Sequence, residues 1–364
     1  MNELEKARTE IEELDKTIAD LFEKRMKCAS FVAQYKKEHG LPVLDKEREK
    51  LLIEKNVNYL KDAELEPYYR EFFNNMLSVS KSYQHKLIEG VRVAYSGIEG
   101  SFAAISVSRI FPDAERVSYK NFKDAYNAVV NSDCELCVLP IENSYAGEVG
   151  QVTDLMLSGD LFINGVYELS VSQCLVGVKG ATIDDVLTVV SHPQALEQCS
   201  EYIYSHNFNT VQADNTARAA KEIADNGDIH VAAIASKETA ELYNLDILAY
   251  DINKSDQNTT RFAVFSKGKN VLKVNDNFSN FILMFTVKNE AGALAKAVNV
   301  IADYGYSMRV IKSRPMKDEN WHYYFYTEIE GMVRTENGEK MLKEMANFCE
   351  LIKVIGTYKP NEKI

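Results

Sequence analysis

Near the start of the chain, charged side chains occupy positions where a helical pattern calls for apolar ones. Between residues 4 and 35, apolar residues recur at heptad spacing, which predicts one long helix that packs lengthwise on others. Arg25 falls inside this seam. An unpaired buried guanidinium is costly, so we expect Arg25 to meet an anion. Lys36 returns to within about 20° of Arg25 around the helix, whereas Arg8 points roughly 100° away, toward a neighbouring chain.

Two shorter helical stretches add hydrogen-bonding groups to these cations. In the stretch that ends near residue 88, Ser80 lies within an apolar stripe and Gln84 follows one turn later. In the intervening stretch, Asp45, Arg48 and Glu49 have the spacing i, i+3, i+4, which places their side chains on one side of a helix. The set forms a socket for carboxylates, hydroxyls and a neutral oxygen. It contains no nucleophile or histidine, so it suits a reaction that needs only positioning and electrostatics.

Residues 1–88 resemble the all-helical chorismate mutase domain. The family's active-site set is matched position for position by Arg8, Arg25, Lys36, Asp45, Arg48, Glu49, Ser80 and Gln84. The resemblance implies that Arg25, and Arg8 of a second subunit, hold the two carboxylates of chorismate. It also implies that Lys36 and Gln84 stabilise charge on the ether oxygen and that Glu49 holds the ring hydroxyl, while Asp45, Arg48 and Ser80 bind substrate.

Composition excludes several classes of protein. A length of 364 residues predicts two or three domains, and an apolar fraction of 46% suffices for packed cores. The net charge of −12 argues against nucleic acid as a partner, and no apolar run approaches the length of a membrane span. The six cysteines form no disulfide pattern, and the Cys134-x-x-Cys137 pair lacks further ligands at metal-binding spacing. We therefore expect no metal, no cofactor and a cytoplasmic setting.

After residue 90, short strands alternate with helices, which predicts α/β layers. A long insertion in this region predicts two lobes with a cleft between them. The turn at 97–102 joins a strand to a helix and could seat a carboxylate on backbone N–H groups, or be an ordinary glycine turn. His192 could be a general base or a helix-entry histidine. A triad with Ser191 and Asp214 lacks the nucleophile elbow that would support it.

Four polar clusters fall at strand ends, where α/β sheets place ligands. They occupy residues 140–144, residues 191–194 with Gln198, residues 214–217 and residues 258–262. Over about residues 91–268 these clusters and the 97–102 turn resemble the prephenate dehydratase family. The resemblance implies that prephenate loses carbon dioxide and water to give phenylpyruvate without a metal. The residues it implies for the site are Thr260 as proton donor, Asn143, Ser191 and Gln198 as lining groups and Arg261 as a carboxylate partner.

The last third of the chain predicts the order βαββαβ between residues 278 and 360, a ferredoxin-like arrangement. It is similar to the ACT regulatory domain, and two ligand motifs match, Gly292-Ala293-Leu294 and Ser313-Arg314-Pro315. The resemblance implies that L-phenylalanine binds between two such domains as a feedback inhibitor. Lys312 stands where the family usually carries glutamate, so the charge beside the motif is reversed.

The sequence therefore predicts a multidomain protein. An all-α mutase domain at 1–88 would form an intertwined dimer, followed by a two-lobed α/β domain at 91–268 and an α+β ferredoxin-like domain at 278–360. The predicted function is that of a bifunctional enzyme of L-phenylalanine biosynthesis, a homodimer or larger, acting on chorismate and prephenate. The alternatives are a non-catalytic amino-acid sensor with a helical dimerisation arm, or an enzyme with an inactive mutase arm. Polar residues in the arm favour the enzyme, because a simple arm gains more from apolar seam residues.

Overall fold

The computed structural model describes residues 2–39, 46–254, 258–269, 279–316, 322–360 and 362–364. The chain divides into two compact units. The first holds residues 1–92 with the short pieces 113–115 and 131–135, and the second holds the remainder. No helix in the described ranges is long and apolar enough to cross a membrane.

The first unit is helical, as the seam predicts. Its helices are α1 (Glu3–Glu38), α2 (Lys46–Val57) and α3 (Glu66–Glu89). A capping box begins α1, in which Asn2 accepts from the backbone of Glu5 and the Glu5 carboxylate accepts from the backbone of Asn2. The second half of α1 contacts α3, and Ala33 and Phe73 are buried there.

The N-terminal half of α1 differs from the rest of the seam. Leu4, Ile11, Leu14, Ile18 and Leu21 are between 53% and 58% exposed. The helix itself is confirmed, but this part of the seam stays mostly uncovered by the described residues of its own chain. A heptad stripe of this kind is typical of a helix that packs on a second helix.

The second unit alternates strands and helices before its ferredoxin-like part. The strands up to residue 269 are β1 (Arg92–Ser96), β2 (Glu115–Tyr119), β3 (Leu136–Asn143), β4 (Gly147–Glu148), β5 (Phe162–Ser170), β6 (Cys174–Gly177), β7 (Thr188–Ser191), β8 (Asn209–Gln212), β9 (Val231–Ala235), β10 (Asp246–Ala249) and β11 (Thr259–Ser266). The helices are α4 (Phe102–Ile110), α5 (Phe122–Val130), α6 (Gly150–Ser158), α7 (Pro193–Gln198), α8 (Ser200–Ser205), α9 (Thr216–Asn226) and α10 (Lys237–Leu242). The sequence predicts one helix over 195–206, but the backbone turns at Cys199 and separates α7 from α8.

Two sheets divide this α/β region into lobes, as predicted. In one, the order of the described strands is β5-β11-β3-β1-β2, and in the other it is β10-β6-β9-β7-β8. Strand β3 pairs parallel with β1 and antiparallel with β11, so its carboxyl end meets the start of β11. This register places Asn143 opposite Thr260 and Glu142 opposite Arg261.

The C-terminal part has the predicted βαββαβ order. Its elements are β12 (Asn280–Val287), α11 (Ala293–Asp303), β13 (Met308–Pro315), β14 (Tyr323–Glu330), α12 (Glu336–Met345), β15 (Cys349–Tyr358) and the short β16 (Glu362–Lys363). The sheet order β13-β14-β12-β15 is ferredoxin-like, and β15 continues into β5 of the first lobe. Phe281, Phe285 and Met341 belong to a buried core between this sheet and its helices.

Candidate active sites

A cavity of about 230 Å³ opens among the three helices of the first unit. Each helix contributes polar side chains, because positions three, four, seven or eleven apart share one helical face. The residues lining it include Arg25, Lys36, Arg48, Glu49, Ser80, Lys81 and Gln84. The structure therefore brings together six of the eight positions that the mutase resemblance predicts.

Arg25 is the cation best suited to hold an anion in this cavity. Its Nη1 atom is buried and has no hydrogen-bond partner among the described residues. Burial lowers the pKa of this guanidinium. A carboxylate in the cavity would supply both the missing acceptor and the opposite charge, which a half-buried guanidinium needs.

The α3 side of the cavity supplies a hydroxyl and an amide. Ser80 is buried, and the Nε2 atom of Gln84 donates to its carbonyl and hydroxyl oxygens over 3.3 and 3.4 Å. The Oε1 atom of Gln84 is buried and finds no partner in the described chain. Both ends of this amide are thus held weakly enough to reorient toward a ligand.

Glu49 carries a contact that the sequence did not indicate. Its Oε2 atom lies 3.1 Å from the Nζ atom of Lys81, which also lines the cavity. Lys81 was missed because no motif marks it, and only the packing of α2 against α3 brings the two together. The ion pair holds the Glu49 carboxylate at the wall of the cavity.

One predicted mutase residue, Arg8, does not line this cavity. Arg8 is exposed, and seventeen residues of helix place it about 25 Å from Arg25, too far to reach the same site within one chain. Its predicted role therefore requires a second subunit and stays a prediction. Asp45 lies outside the described residues.

A second cavity, of about 370 Å³, lies in the α/β region. Side chains from both lobes line it, including Asn143, Gln198, Asn258 and Thr260. Asn143 is the centre of a hydrogen-bonded chain, because its Nδ2 atom lies 2.9 Å from both the Thr260 hydroxyl and the Asn258 side-chain oxygen. Asn258 in turn donates to Gln198 over 3.0 Å. The chain fixes the amides of both lobes in one orientation.

Thr260 is thereby prepared to donate a hydrogen bond. Its oxygen accepts from Asn143, so its own proton remains for another acceptor. Within the described ranges, its hydroxyl donates to no other group. A leaving hydroxyl of a substrate in the cavity could take that proton.

Helix N-termini make the same cavity attractive to carboxylates. Ser101 begins α4 and Asn215 begins α9, and both line the cavity. Free backbone N–H groups and the helix dipole favour anions at such ends. His192 is confirmed as a helix-entry residue, since its Nδ1 atom accepts from the backbone N–H of Gln194 over 3.2 Å.

Two predicted dehydratase residues are not brought to this cavity. The Ser191 hydroxyl is fully buried and donates to the Ile234 carbonyl over 2.7 Å, so it ties β7 to β9 instead. Arg261 points away from Thr260, since successive side chains on a strand face opposite sides. Its guanidinium binds Glu142 over 3.0 Å and Glu328 over 2.8 Å. Its predicted role as a carboxylate partner of the substrate does not fit this geometry.

The sequence also missed residues that line the cavity. Gln173 is buried there, and its Oε1 atom has no partner in the described part of the chain. Gln194 reaches the Asn143 side-chain oxygen over 3.3 Å. Gln194 and Asn258 belong to the polar clusters 191–194 and 258–262 that the sequence analysis names, so cluster membership could have identified both. Gln173 has no comparable signal, because it follows an ordinary strand.

The two predicted effector motifs lie in the ferredoxin-like part. Gly292 begins α11 with a φ of +85°, a conformation that favours glycine, and Ala293 and Leu294 follow it half-buried. On β13, Ser313 and Pro315 are exposed, whereas Arg314 points the other way. It lies 3.7 Å from a Glu148 oxygen and 3.4 Å from an Asp154 oxygen. Strand alternation thus separates the members of this motif.

The described residues contain no group of histidine, cysteine or acidic side chains that could hold a metal. One cavity offers cations and an amide without a nucleophile, and the other offers a hydroxyl donor, amides and helix N-termini. These arrangements define an enzyme with two separate sites for carboxylate-bearing substrates.

Comparisons with known proteins match both the helical and the α/β part of the chain to enzyme families. Residues 7–85 match the family model for chorismate mutase type II, and residues 93–270 match that for prephenate dehydratase. The bifunctional chorismate mutase/prephenate dehydratase of Aquifex aeolicus is 31% identical over 98% of this chain and 98% of its own. The chain belongs to the family of bifunctional chorismate mutase/prephenate dehydratases. It rearranges chorismate to prephenate and converts prephenate to phenylpyruvate, in the biosynthesis of phenylalanine.

Solved structures support the fold of the α/β region. The prephenate dehydratase of Arthrobacter aurescens in complex with L-Phe aligns with a TM-score of 0.69 at 24% identity, covering 74% of this chain and 90% of that chain. GqqA, described as a novel type of quorum quenching acylase, aligns with a TM-score of 0.68 at 29% identity, covering 74% of this chain and 97% of that chain. Because a protein of the same fold is described with a different activity, the reaction has to be argued from site residues.

Proposed function

We propose that the cavity between α1, α2 and α3 binds chorismate through the residues that line it. Arg25 holds one carboxylate, and Lys36 and Gln84 stabilise the negative charge that develops on the ether oxygen. Glu49, steadied by Lys81, accepts from the ring hydroxyl, while Arg48 and Ser80 complete the site. Rearrangement within one molecule needs no acid, base or nucleophile, so electrostatic stabilisation and a fixed conformation suffice.

One observation carries this assignment. The Nη1 atom of Arg25 and the Oε1 atom of Gln84 are both buried without partners in the described chain, and both residues line the same cavity. Buried polar groups are seldom left unsatisfied unless a ligand or water completes them. A carboxylate of chorismate would accept from Arg25, and a turn of the Gln84 amide would bring its Nε2 donor to the ether oxygen and its Oε1 atom to the Ser80 hydroxyl.

The exposed half of α1 supports a homodimer, or a larger assembly, as part of the proposal. An apolar stripe that runs from Leu4 to Leu21 would be buried against the same stripe of a second copy. An antiparallel arrangement of the two long helices would carry Arg8 of one chain toward the cavity of the other. There it would hold the second carboxylate of chorismate.

In the second cavity, we propose that Thr260 donates a proton or hydrogen bond to the departing ring hydroxyl of prephenate. Asn143 holds the Thr260 oxygen, and Gln198 fixes the chain of amides from the other lobe. The N-termini of α4 and α9 receive substrate carboxylates. The hydroxyl takes up a proton and leaves as water while the ring carboxylate leaves as carbon dioxide. The electron pair of the broken C–C bond completes the aromatic ring, which drives the step, and solvent returns a proton to Thr260.

L-Phenylalanine is the proposed effector of the ferredoxin-like part, which we assign as an ACT domain. The ferredoxin-like topology, the Gly292 turn and the Ser313 strand support this assignment. The A. aurescens prephenate dehydratase, solved in complex with L-Phe, supports it at the level of the fold. A cytoplasmic location also belongs to the proposal, since free cysteines suit a reducing compartment.

Consumption of chorismate and formation of phenylpyruvate from prephenate, each measured separately with and without L-phenylalanine, test the proposal. Lys36→Ala should abolish turnover of chorismate and leave turnover of prephenate intact. Thr260→Ala should do the reverse, and Thr260→Ser should recover part of the dehydratase rate because it keeps the hydroxyl. Loss of both activities in either single variant would contradict separate sites.

Each variant has a matched control on its own element. Lys37→Ala removes an exposed ammonium one position further along α1, and it should leave chorismate turnover unchanged. Thr259 precedes Thr260 but does not line the cavity, so Thr259→Ala should leave prephenate turnover unchanged. A Thr260→Ala enzyme that makes phenylpyruvate at the wild-type rate would refute the role of its hydroxyl.

A further inference from the structure

The hairpin that carries Asn143 contains two acidic residues facing each other. Strands β3 and β4 pair antiparallel, with Glu142 opposite Glu148 and Asn143 opposite Gly147. Side chains directly opposite on an antiparallel pair lie about 5 Å apart at Cβ, and like charges there are destabilising. The hairpin therefore depends on cations that lie close to both carboxylates.

Two of those cations come from one face of β13. The Nζ atom of Lys312 lies 2.5 Å from Glu142, and the Nη1 atom of Arg314 lies 3.7 Å from Glu148. Residues two apart on a strand share a face, so β13 presents both cations to the two carboxylates at once. All four side chains are partly buried, between 18% and 27% exposed, so water screens these pairs less than surface pairs.

The helix after the hairpin contacts the same sheet. The Tyr324 hydroxyl donates to Asp154 within α6 over 2.8 Å. At the C-terminal end of α6, the Nζ atom of Lys353 donates to the carbonyl of Leu157 over 3.0 Å and to the carbonyl of Gly159. A cation at a helix C-terminus is favourable, although burial lowers the pKa of this lysine. The ferredoxin-like sheet thus contacts residues 142–159 along their length.

From these contacts we infer that Lys312 and Arg314 are positioning residues for prephenate turnover. Neither lines the cavity. They neutralise Glu142 and Glu148 and so fix the hairpin in which Asn143 donates to Thr260. The inference rests on the proposed roles of Asn143 and Thr260.

The same arrangement gives β13 a route to the active site. Ser313 lies between the two cations and faces outward, where the proposed effector would bind. A ligand that shifts β13 from its outer face moves both ammonium and guanidinium groups away from the hairpin. Glu142 then keeps only Arg261 as its cation, the repulsion between Glu142 and Glu148 grows, and Asn143 loses its alignment with Thr260.

The test uses the full chain and steady-state kinetics with prephenate. Lys312→Met should lower kcat about tenfold with little change in KM, the loss expected for one charged hydrogen bond that orients the site. It should also weaken inhibition by L-phenylalanine, whereas Lys312→Arg should recover both properties. Arg309→Met removes an exposed cation from the same strand and serves as the control.

A double-mutant cycle separates positioning from general damage. If Lys312 acts through Glu142, the effects of Lys312→Met and Glu142→Gln on kcat should not add. Circular dichroism and the urea midpoint of each variant report whether the second unit, which carries these residues, is folded. Where Lys312→Met does not fold, Arg314→Met tests the same claim through Glu148.

The inference and the proposed function fail in different ways. Wild-type turnover by Thr260→Ala would remove the proposed role on which the inference rests. Loss of turnover in Thr260→Ala, together with a Lys312→Met kcat within about twofold of wild type or an additive cycle, would overturn the inference alone. A wild-type enzyme insensitive to L-phenylalanine would refute the effector and the proposed route from β13, while the kcat cycle still decides the positioning role.

Discussion

Replacing Arg261 by methionine tests whether this residue binds substrate or supports the fold. Its guanidinium lies 2.8 Å from two oxygens of Glu328, a side chain that is only 3% exposed, and 3.0 Å from Glu142. Removing one partner of a buried ion pair costs about 3–5 kcal/mol, because the other charge is left in a medium of low polarity. We expect about 3 kcal/mol, the lower end of that range. The reason is that the hydroxyls of Tyr326 and Tyr358 still donate to Glu328.

The loss should depend on pH in a defined direction. Burial alone would raise the pKa of Glu328, but the hydrogen bonds and charge of Arg261 outweigh it and hold that pKa below its usual value. In the native chain the ionised Glu328 therefore stabilises the fold above its unfolded pKa of about 4.3. This stabilisation is lost as pH falls through the folded pKa. In Arg261→Met, burial raises the pKa of Glu328 above its unfolded value. The variant is then destabilised more as pH rises, so the difference between the two proteins widens from about pH 5 to pH 8.

Urea unfolding followed by circular dichroism at both pH values measures this difference. Arg309→Met is the matched control, since it removes the same charge from an exposed pair with Glu330 and should cost less than about 1 kcal/mol. Replacing both Arg261 and Glu328 by methionine should recover much of the stability, because no buried charge is left.

Two results would refute the reasoning about Arg261. One is a loss of stability no larger than in Arg309→Met. The other is unchanged stability with a much higher KM for prephenate, which would restore the role as a carboxylate partner of the substrate. A loss that shrinks toward low pH, with KM altered little, would support the structural role.

Three further predictions concern the two active sites and the assembly. Leu14→Asp should dissociate the proposed dimer, seen by light scattering, and abolish chorismate turnover while prephenate turnover survives; an active monomer would contradict a shared site. Ser191→Ala should lower the urea midpoint yet reduce prephenate kcat less than Gln198→Ala, because the Ser191 hydroxyl bonds a buried carbonyl; the reverse order of kcat values would place Ser191 in the site. Dialysis against EDTA should leave both activities unchanged. An activity that is lost on dialysis and returns only when a divalent cation is added would count against metal-free chemistry.

Local periodicity in the sequence determined the helices, the strand order of the last third and many residues of both cavities. The spacing of Arg25, Lys36, Ser80 and Gln84 needed only the helical repeat, which is a short-range property of the backbone. The clusters containing Asn143 and Thr260 were recognisable because α/β sheets gather ligands at strand ends. The βαββαβ order followed from the change of period along the last third.

Only the tertiary structure decided which side chains face a site. Lys312 and Glu142 are 170 residues apart, and Arg261 and Glu328 are 67 apart, so neither pair leaves a trace in local spacing. The same is true of Ser191, whose partner is a backbone carbonyl on a neighbouring strand. A sequence motif consists of adjacent residues, but the side chains of adjacent residues in a strand face opposite sides of the sheet. Thr260 and Arg261 therefore serve different parts of the molecule, one facing the cavity and the other binding Glu328 in the ferredoxin-like sheet.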